Sequence, residues 1–201
     1  RAGVAALFAL DLAFGHVLAV TREPMLGEMR LAWWREALET LDRAVAPADP
    51  ALGALAVHIL PAGIGGDELA AMEEGWLALL ATPLDRAALT DHARRRGAAL
   101  FALIARRLGV ADLDDDLRIA GEGWAFADLS RRLGDPAVSA LARDEALARL
   151  AGWRIPRKAG GARPLLALAA LARHDVAGRS VYRPGAPARQ LRYLWHRALA
   201  G

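Results

Sequence analysis

Residues that favour strands are scarce in this chain. Its 201 positions hold nine Val, five Ile and four Thr against 47 Ala and 34 Leu. Pleated sheets favour β-branched and aromatic side chains, whereas Ala, Leu and Arg are strong helix formers. The imbalance predicts an all-α fold. Apolar content of 55% with a net charge of +3 excludes disorder for most of the chain, and at this length about 70% of the unfolded surface goes inside. Cysteine is absent, which removes disulfides, thiolate metal sites and thiol nucleophiles. The expectation is one helical domain over residues 1–201, its N-terminus open to extension because the chain starts at Arg1 rather than Met.

Apolar spacing and punctuation predict eight or nine helices. The first runs from Ala2 to Val20; its apolar segment, Val4 to Val20, contains Asp11 and His16 and falls short of the ~20 residues of a membrane span, so it reads as a buried core helix. The second runs from Pro24 to Val45, with Leu26, Met29, Trp33, Ala37, Leu38 and Leu41 as one apolar face. Further helices are expected at 51–60, 67–81, 85–108, 112–133, 136–151, 164–173 and 188–200. Gly109 is a natural stop, and Asp112, Asp114, Asp115 and Asp116 favour the start of a helix. No repeat of fixed period is present.

Most familiar chemistry is missing. His16, His58, His92, His174 and His196 lie in five separate segments without ligand spacing, and read as surface or half-buried side chains. The acids at 112–116 lack the glycine and terminal Glu of an EF-hand loop. The glycines at 63–66 and 160–161 follow no strand and carry no P-loop lysine. The charge is uneven: residues 149–201 hold eleven basic side chains and one acid, Asp175. Such a segment suits a phosphate, an anionic membrane or an acidic partner; pairing of its arginines with acids of the N-terminal half is the competing reading. Nucleic acid is not expected.

The segment Glu23-Pro24-Met25-Leu26-Gly27-Glu28-Met29-Arg30-Leu31-Ala32-Trp33-Trp34-Arg35-Glu36-Ala37-Leu38 carries the most information. Its two tryptophans project about 100° apart on a helix, so one can enter the core while the other walls a groove. It resembles the Trp-Trp helix of the squalene/phytoene synthase family. Weaker similarity follows at 95–109, with Gly97 as the shared glycine, and at 120–135. The resemblance implies the isoprenoid-synthase fold, a helical bundle around a central apolar cavity. It also implies two Asp-x-x-x-Asp motifs on facing helices that hold Mg2+ for the condensation of prenyl diphosphates. In this chain the first pair would fall at Gly15 and Ala19, with Asp11 one turn earlier. Near the second, Asp128 and Asp135 stand seven apart, with Arg131 and Arg132 between them.

The resemblance therefore implies a degenerate member, similar to the branch that assembles respiratory complex I. It would be a non-catalytic protein binding a prenyl diphosphate or other lipid, or a protein partner. Arg30, Trp34, Trp124, Asp128 and Arg131 are the candidates for the cavity wall and mouth. The alternative is an active head-to-head prenyl transferase whose Mg2+ ligands would be Asp11, Asp128 and Asp135. A cytoplasmic location is expected, with peripheral membrane contact through the basic C-terminal segment.

Overall fold

The computed structural model describes residues 1–178 and 186–198, and among them there is no strand. The order is α1 (Ala2–Val20), α2 (Pro24–Glu39), α3 (Pro50–His58), α4 (Gly66–Ala70), α5 (Glu73–Leu77), α6 (Arg86–His92), a π-helical stretch (Ala93–Ala98), α7 (Ala99–Arg107), α8 (Asp114–Leu129), α9 (Pro136–Arg149), α10 (Arg163–Ala177) and α11 (Pro187–Ala198). Short 3-10 turns follow α3 and α5, and another precedes α10. The ends are set by local chemistry. Asp49, Asp85 and Asp135 accept hydrogen bonds from the first free amides of α3, α6 and α9. Proline opens α2, α3 and α9. Gly109 takes a left-handed φ of 68° after α7.

Helix α8 is the hub. It packs on the π-helical stretch, α7, α9 and α10, while α1 packs on α2, α3, α5 and α7. Leu7, Leu10, Phe14, Leu31, Leu38 and Phe101 are fully buried in the larger core, and a second core gathers Leu89, Phe126, Ala142 and Ala146. Gly97 and Gly121 bring the π-helical stretch and α8 to backbone contact. A Cβ on Gly97 would overlap the Gly121 carbonyl oxygen and stand 2.7 Å from the Ala125 methyl.

Several boundaries and faces differ from expectation. Helix α2 stops at Glu39, where the Thr40 hydroxyl donates to the Glu36 carbonyl (2.9 Å). Its buried face is Gly27, Leu31, Trp34, Ala37 and Leu38. Leu26, Met29 and Trp33 lie on the exposed side instead. The helix expected over 67–81 is broken into α4 and α5 at Ala71 and Met72, and Gly75, inside α5, packs on the backbone of Arg95 and Arg96. Asp112 has a φ of 62°, so α8 begins only at Asp114. Residues 157–162, between the helices expected over 136–151 and 164–173, form a 3-10 stretch. Helix α10 runs on to Ala177, past the end expected at 173, and residues 179–185 lie outside the described residues. Helix α1 has the length and apolarity to cross a membrane, with a mean hydropathy of 1.9; in this fold Gly3, Ala6, Leu7, Leu10, Asp11, Phe14 and Val17 are buried.

Candidate functional site

The interior holds a cation. Arg94, Arg95 and Arg96 are consecutive in the π-helical stretch, and only Arg96 points inward. Its Nε and Nη2 donate to Oδ1 and Oδ2 of Asp11 on α1, at 2.7 and 2.9 Å. The same Nη2 lies 3.0 Å from Oδ2 of Asp128 on α8. Trp76 of α5 and Trp124 of α8 cover the guanidinium, with ring centres 4.4 and 4.7 Å from its carbon. Three helical segments thus meet at one planar fork, which holds Asp11 in the bidentate manner that suits arginine and pairs with Asp128 through one nitrogen.

The surroundings set the charge states. Burial opposes the charged form of Arg96, but Asp11 and then Asp128 outweigh it and hold its pKa above the ordinary value. Burial likewise opposes ionised Asp128, yet the charges of Arg96 and Arg132 keep its carboxyl below the usual range. Arg132 Nε donates to Asp128 Oδ1 at 3.0 Å, and Arg131 Nη2 stands 3.7 Å from the same oxygen. His92 is fully buried rather than at the surface. Its Nδ1–H donates to the Gly75 carbonyl (2.7 Å), which leaves Nε2 facing Arg96 Nη1 at 3.3 Å. Burial first, and then the Arg96 charge, push its pKa down to about 3, so the ring is neutral. Glu73, three residues before Trp76 in α5, is buried with Arg35 3.8 Å away, and burial raises its pKa despite that charge.

The residues singled out from sequence divide into two groups. Trp124, Asp128 and Arg131 gather at this centre. Arg30 and Trp34 do not: Arg30 is exposed and donates to the Thr21 hydroxyl (2.8 Å), and Trp34 packs edge-on against Phe14 in the core. Asp11 and Asp128 do approach one another, but through a guanidinium. Asp135 caps α9, accepting from the Ala137 and Val138 amides at 2.8 and 3.2 Å. Sequence reasoning passed over Arg96, His92 and Trp76. The available signal was Asp11, the only acid in an otherwise apolar α1, which required a buried cation somewhere in the chain.

Magnesium needs carboxylate oxygens together with water or phosphate oxygens. Here both Asp11 oxygens accept from Arg96 and Asp128 Oδ2 is paired with the same guanidinium, whose charge repels a second cation, and two indole faces exclude water. Gly15, where the resemblance would place a carboxylate, sits against Trp76; an added Cβ would lie 2.9 Å from the ring. Among the described residues no group of three or more His, Asp or Glu gathers as a metal site. The donor set does not fit Mg2+. Separately, α1, α7, α10 and α11 wall a largely apolar cleft of ≈ 570 Å³, lined by Val4, Phe8, Ile104, Leu165 and Leu168, with Arg1 and Arg197 also in its lining. None of the five singled-out residues lines it.

No protein-family model, curated protein or solved structure matches the chain.

Proposed function

We propose that this protein is a non-catalytic lipid-binding member of the squalene/phytoene synthase type. The observation that carries the reading is the Asp11–Arg96–Asp128 bridge. In an active synthase of the kind the Trp-Trp helix resembles, acids on facing helices collect metal ions, which bind the diphosphate and draw off the leaving group. In this chain acids on α1 and α8 collect a guanidinium instead. A fixed, doubly paired guanidinium supports packing of three helices. Its Nε and Nη2 are committed to carboxylates and its Nη1 faces His92, so it offers nothing comparable with a metal's open coordination sites. Catalysis therefore loses its electrophile, while the apolar cleft remains suited to a hydrocarbon tail. Its volume of ≈ 570 Å³ falls within the usual range for ligand pockets, about 300–1,000 Å³.

The test has two arms. Purified protein incubated with farnesyl or geranylgeranyl diphosphate and Mg2+ should release no pyrophosphate above background; turnover at enzyme-like rates overturns the reading. Solvent extracts of the purified protein should contain a stoichiometric lipid by mass spectrometry. Leu168→Trp, which fills the cleft, should reduce that lipid by about tenfold with helicity unchanged. Equal lipid in the variant would place the tail elsewhere and refute the cleft assignment.

A further inference from the structure

The arginines near the C-terminus do not simply cancel the acids of the N-terminal half. Arg149 pairs with Glu122 (2.9 Å) and Arg189 with Asp175 (2.9 Å), which uses the one acid of the segment. Arg154 and Arg173 instead both donate to a single backbone carbonyl, that of Trp153, at 3.0 and 2.7 Å. They line a groove of ≈ 470 Å³ between α9, α10 and α11 together with His174, Arg192 and His196, and no carboxylate contributes to its lining. The crowding leaves a mark on the groups themselves. Burial and then Arg154 lower the pKa of Arg173; burial and then Arg173, Arg192 and His174 lower that of His196. Several cations converge with no anion among them, and arginine forks match phosphate oxygens in particular.

The wall of this groove is an unusual helix. The side of α11 that meets the protein is polar: Arg189 pairs with Asp175, and the Tyr193 hydroxyl donates to the Pro164 carbonyl (3.2 Å). The opposite side is apolar and faces outward, with Leu191, Leu194 and Trp195 exposed by 67%, 50% and 56%. Their spacing of three and four places them on one stripe. At about 100° per residue, Arg192 and Arg197 flank that stripe on either side. A water-facing helix normally presents the reverse. Leu and Trp between arginines match a helix lying in a membrane interface, where the indole sits at headgroup depth.

We infer that α11 docks on an anionic phospholipid bilayer, with Leu191, Leu194 and Trp195 in the acyl boundary and a lipid phosphate in the Arg154–Arg173–Arg192 groove. Charge complementarity selects this occupant: the groove and both flanks of the stripe are cationic. The inference stands independently of what fills the apolar cleft.

Vesicle flotation tests it, using the whole protein with phosphatidylcholine vesicles and with phosphatidylcholine–phosphatidylglycerol vesicles. Binding is expected only to the second, and should weaken as salt is raised. Arg154→Gln/Arg173→Gln/Arg192→Gln should bind about 100-fold more weakly, roughly fivefold for each arginine near the surface. Leu191→Ser/Trp195→Ser should lose at least about tenfold, with far-ultraviolet circular dichroism unchanged, since both side chains are exposed. Brominated lipids should quench a fluorescence component that is missing in Trp195→Phe. Equal binding to both vesicles, or undiminished binding by the triple arginine variant, overturns the inference. So does saturable binding of inorganic phosphate or of an RNA oligonucleotide without vesicle binding, because the anion would then come from solution or from nucleic acid.

Discussion

Arg96→Met tests whether the interior cation holds the fold together. The methionine keeps much of the stem between Trp76 and Trp124 and removes the charge. Asp11 and Asp128 are only 2% and 8% exposed, so neither remaining carboxylate is free to recover its full hydration. Asp128 retains Arg132 at 3.0 Å, whereas Asp11 loses both of its guanidinium hydrogen bonds. Removing one partner of a buried ion pair costs about 3–5 kcal/mol. That is a large part of the roughly 5–15 kcal/mol that stabilises a typical domain. For a chain of this size a loss of about 3–5 kcal/mol lowers Tm by about 6–20 °C, at roughly 2–4 °C per kcal/mol. Asp11→Leu/Arg96→Met removes the stranded charge as well, and replacing a buried pair with apolar groups is often neutral. The double variant should therefore lie within about 2 kcal/mol of the native chain.

Urea unfolding followed by circular dichroism measures all three proteins. A single-variant loss below about 1 kcal/mol, or a double variant no better than the single one, would refute the reasoning. Acid supplies a second check. Asp128 has a folded pKa below its unfolded value. Its contribution is present above the unfolded value and disappears as pH falls through the folded one. The gap between the native chain and Arg96→Met should accordingly narrow below about pH 4.

Two further predictions concern the same helices. Gly97→Ala should cost about 3 kcal/mol or more in urea unfolding, because its methyl meets the rigid Gly121 backbone rather than a side chain that can yield; a loss under about 1 kcal/mol contradicts the close approach. His92 has a folded pKa of about 3, below the ordinary 6.5. Between those values the unfolded chain binds the proton and the folded one does not, so stability falls as pH drops from about 6.5, by about 1.4 kcal/mol per unit at most. His92→Gln should show a shallower fall between pH 6.5 and 4; parallel curves would mean that the ring protonates in place.

The all-α architecture was legible because Ala and Leu crowd out β-branched residues, and the helix starts were legible where Asp or Pro marks them. The inward face of α2 was not. Met29 and Trp33 continue an apolar spacing as good as that of Leu31, Trp34 and Leu38, and only packing against α4 and α5 decides between the two stripes. The centre was half legible for a related reason. Asp11 and Asp128 stand out by charge, and Trp124 and Arg131 by their neighbourhood in sequence. Arg96 lies 85 residues from Asp11 in a run of three arginines, where helical phase through a π-helical stretch decides which one turns inward. No local pattern registers that shift. The basic C-terminal segment was visible as composition, but its grouping around one carboxylate-free groove depends on how α9, α10 and α11 pack.

A guanidinium between two acids can arise in two ways: as a plain interior ion triad, or as a replacement at a position whose helices were arranged to hold a metal. Arg96→Ala separates them. It removes the fork and leaves two carboxylates, from α1 and α8, facing a vacated space beside Trp76 and Trp124. If the backbone retains a metal-holding arrangement, Mg2+ should bind the folded variant and stabilise it by mass action. At a hundredfold excess over Kd the recovery is about 2.7 kcal/mol, most of the loss expected from the substitution. The native chain should show no Mg2+-dependent change in Tm, because Arg96 already occupies both carboxylates. Ca2+ should recover less than Mg2+ if the space suits the smaller ion. Absence of recovery at millimolar Mg2+ would make the centre a structural triad only, and would remove the main support for reading the chain as a synthase that exchanged its metal for an arginine.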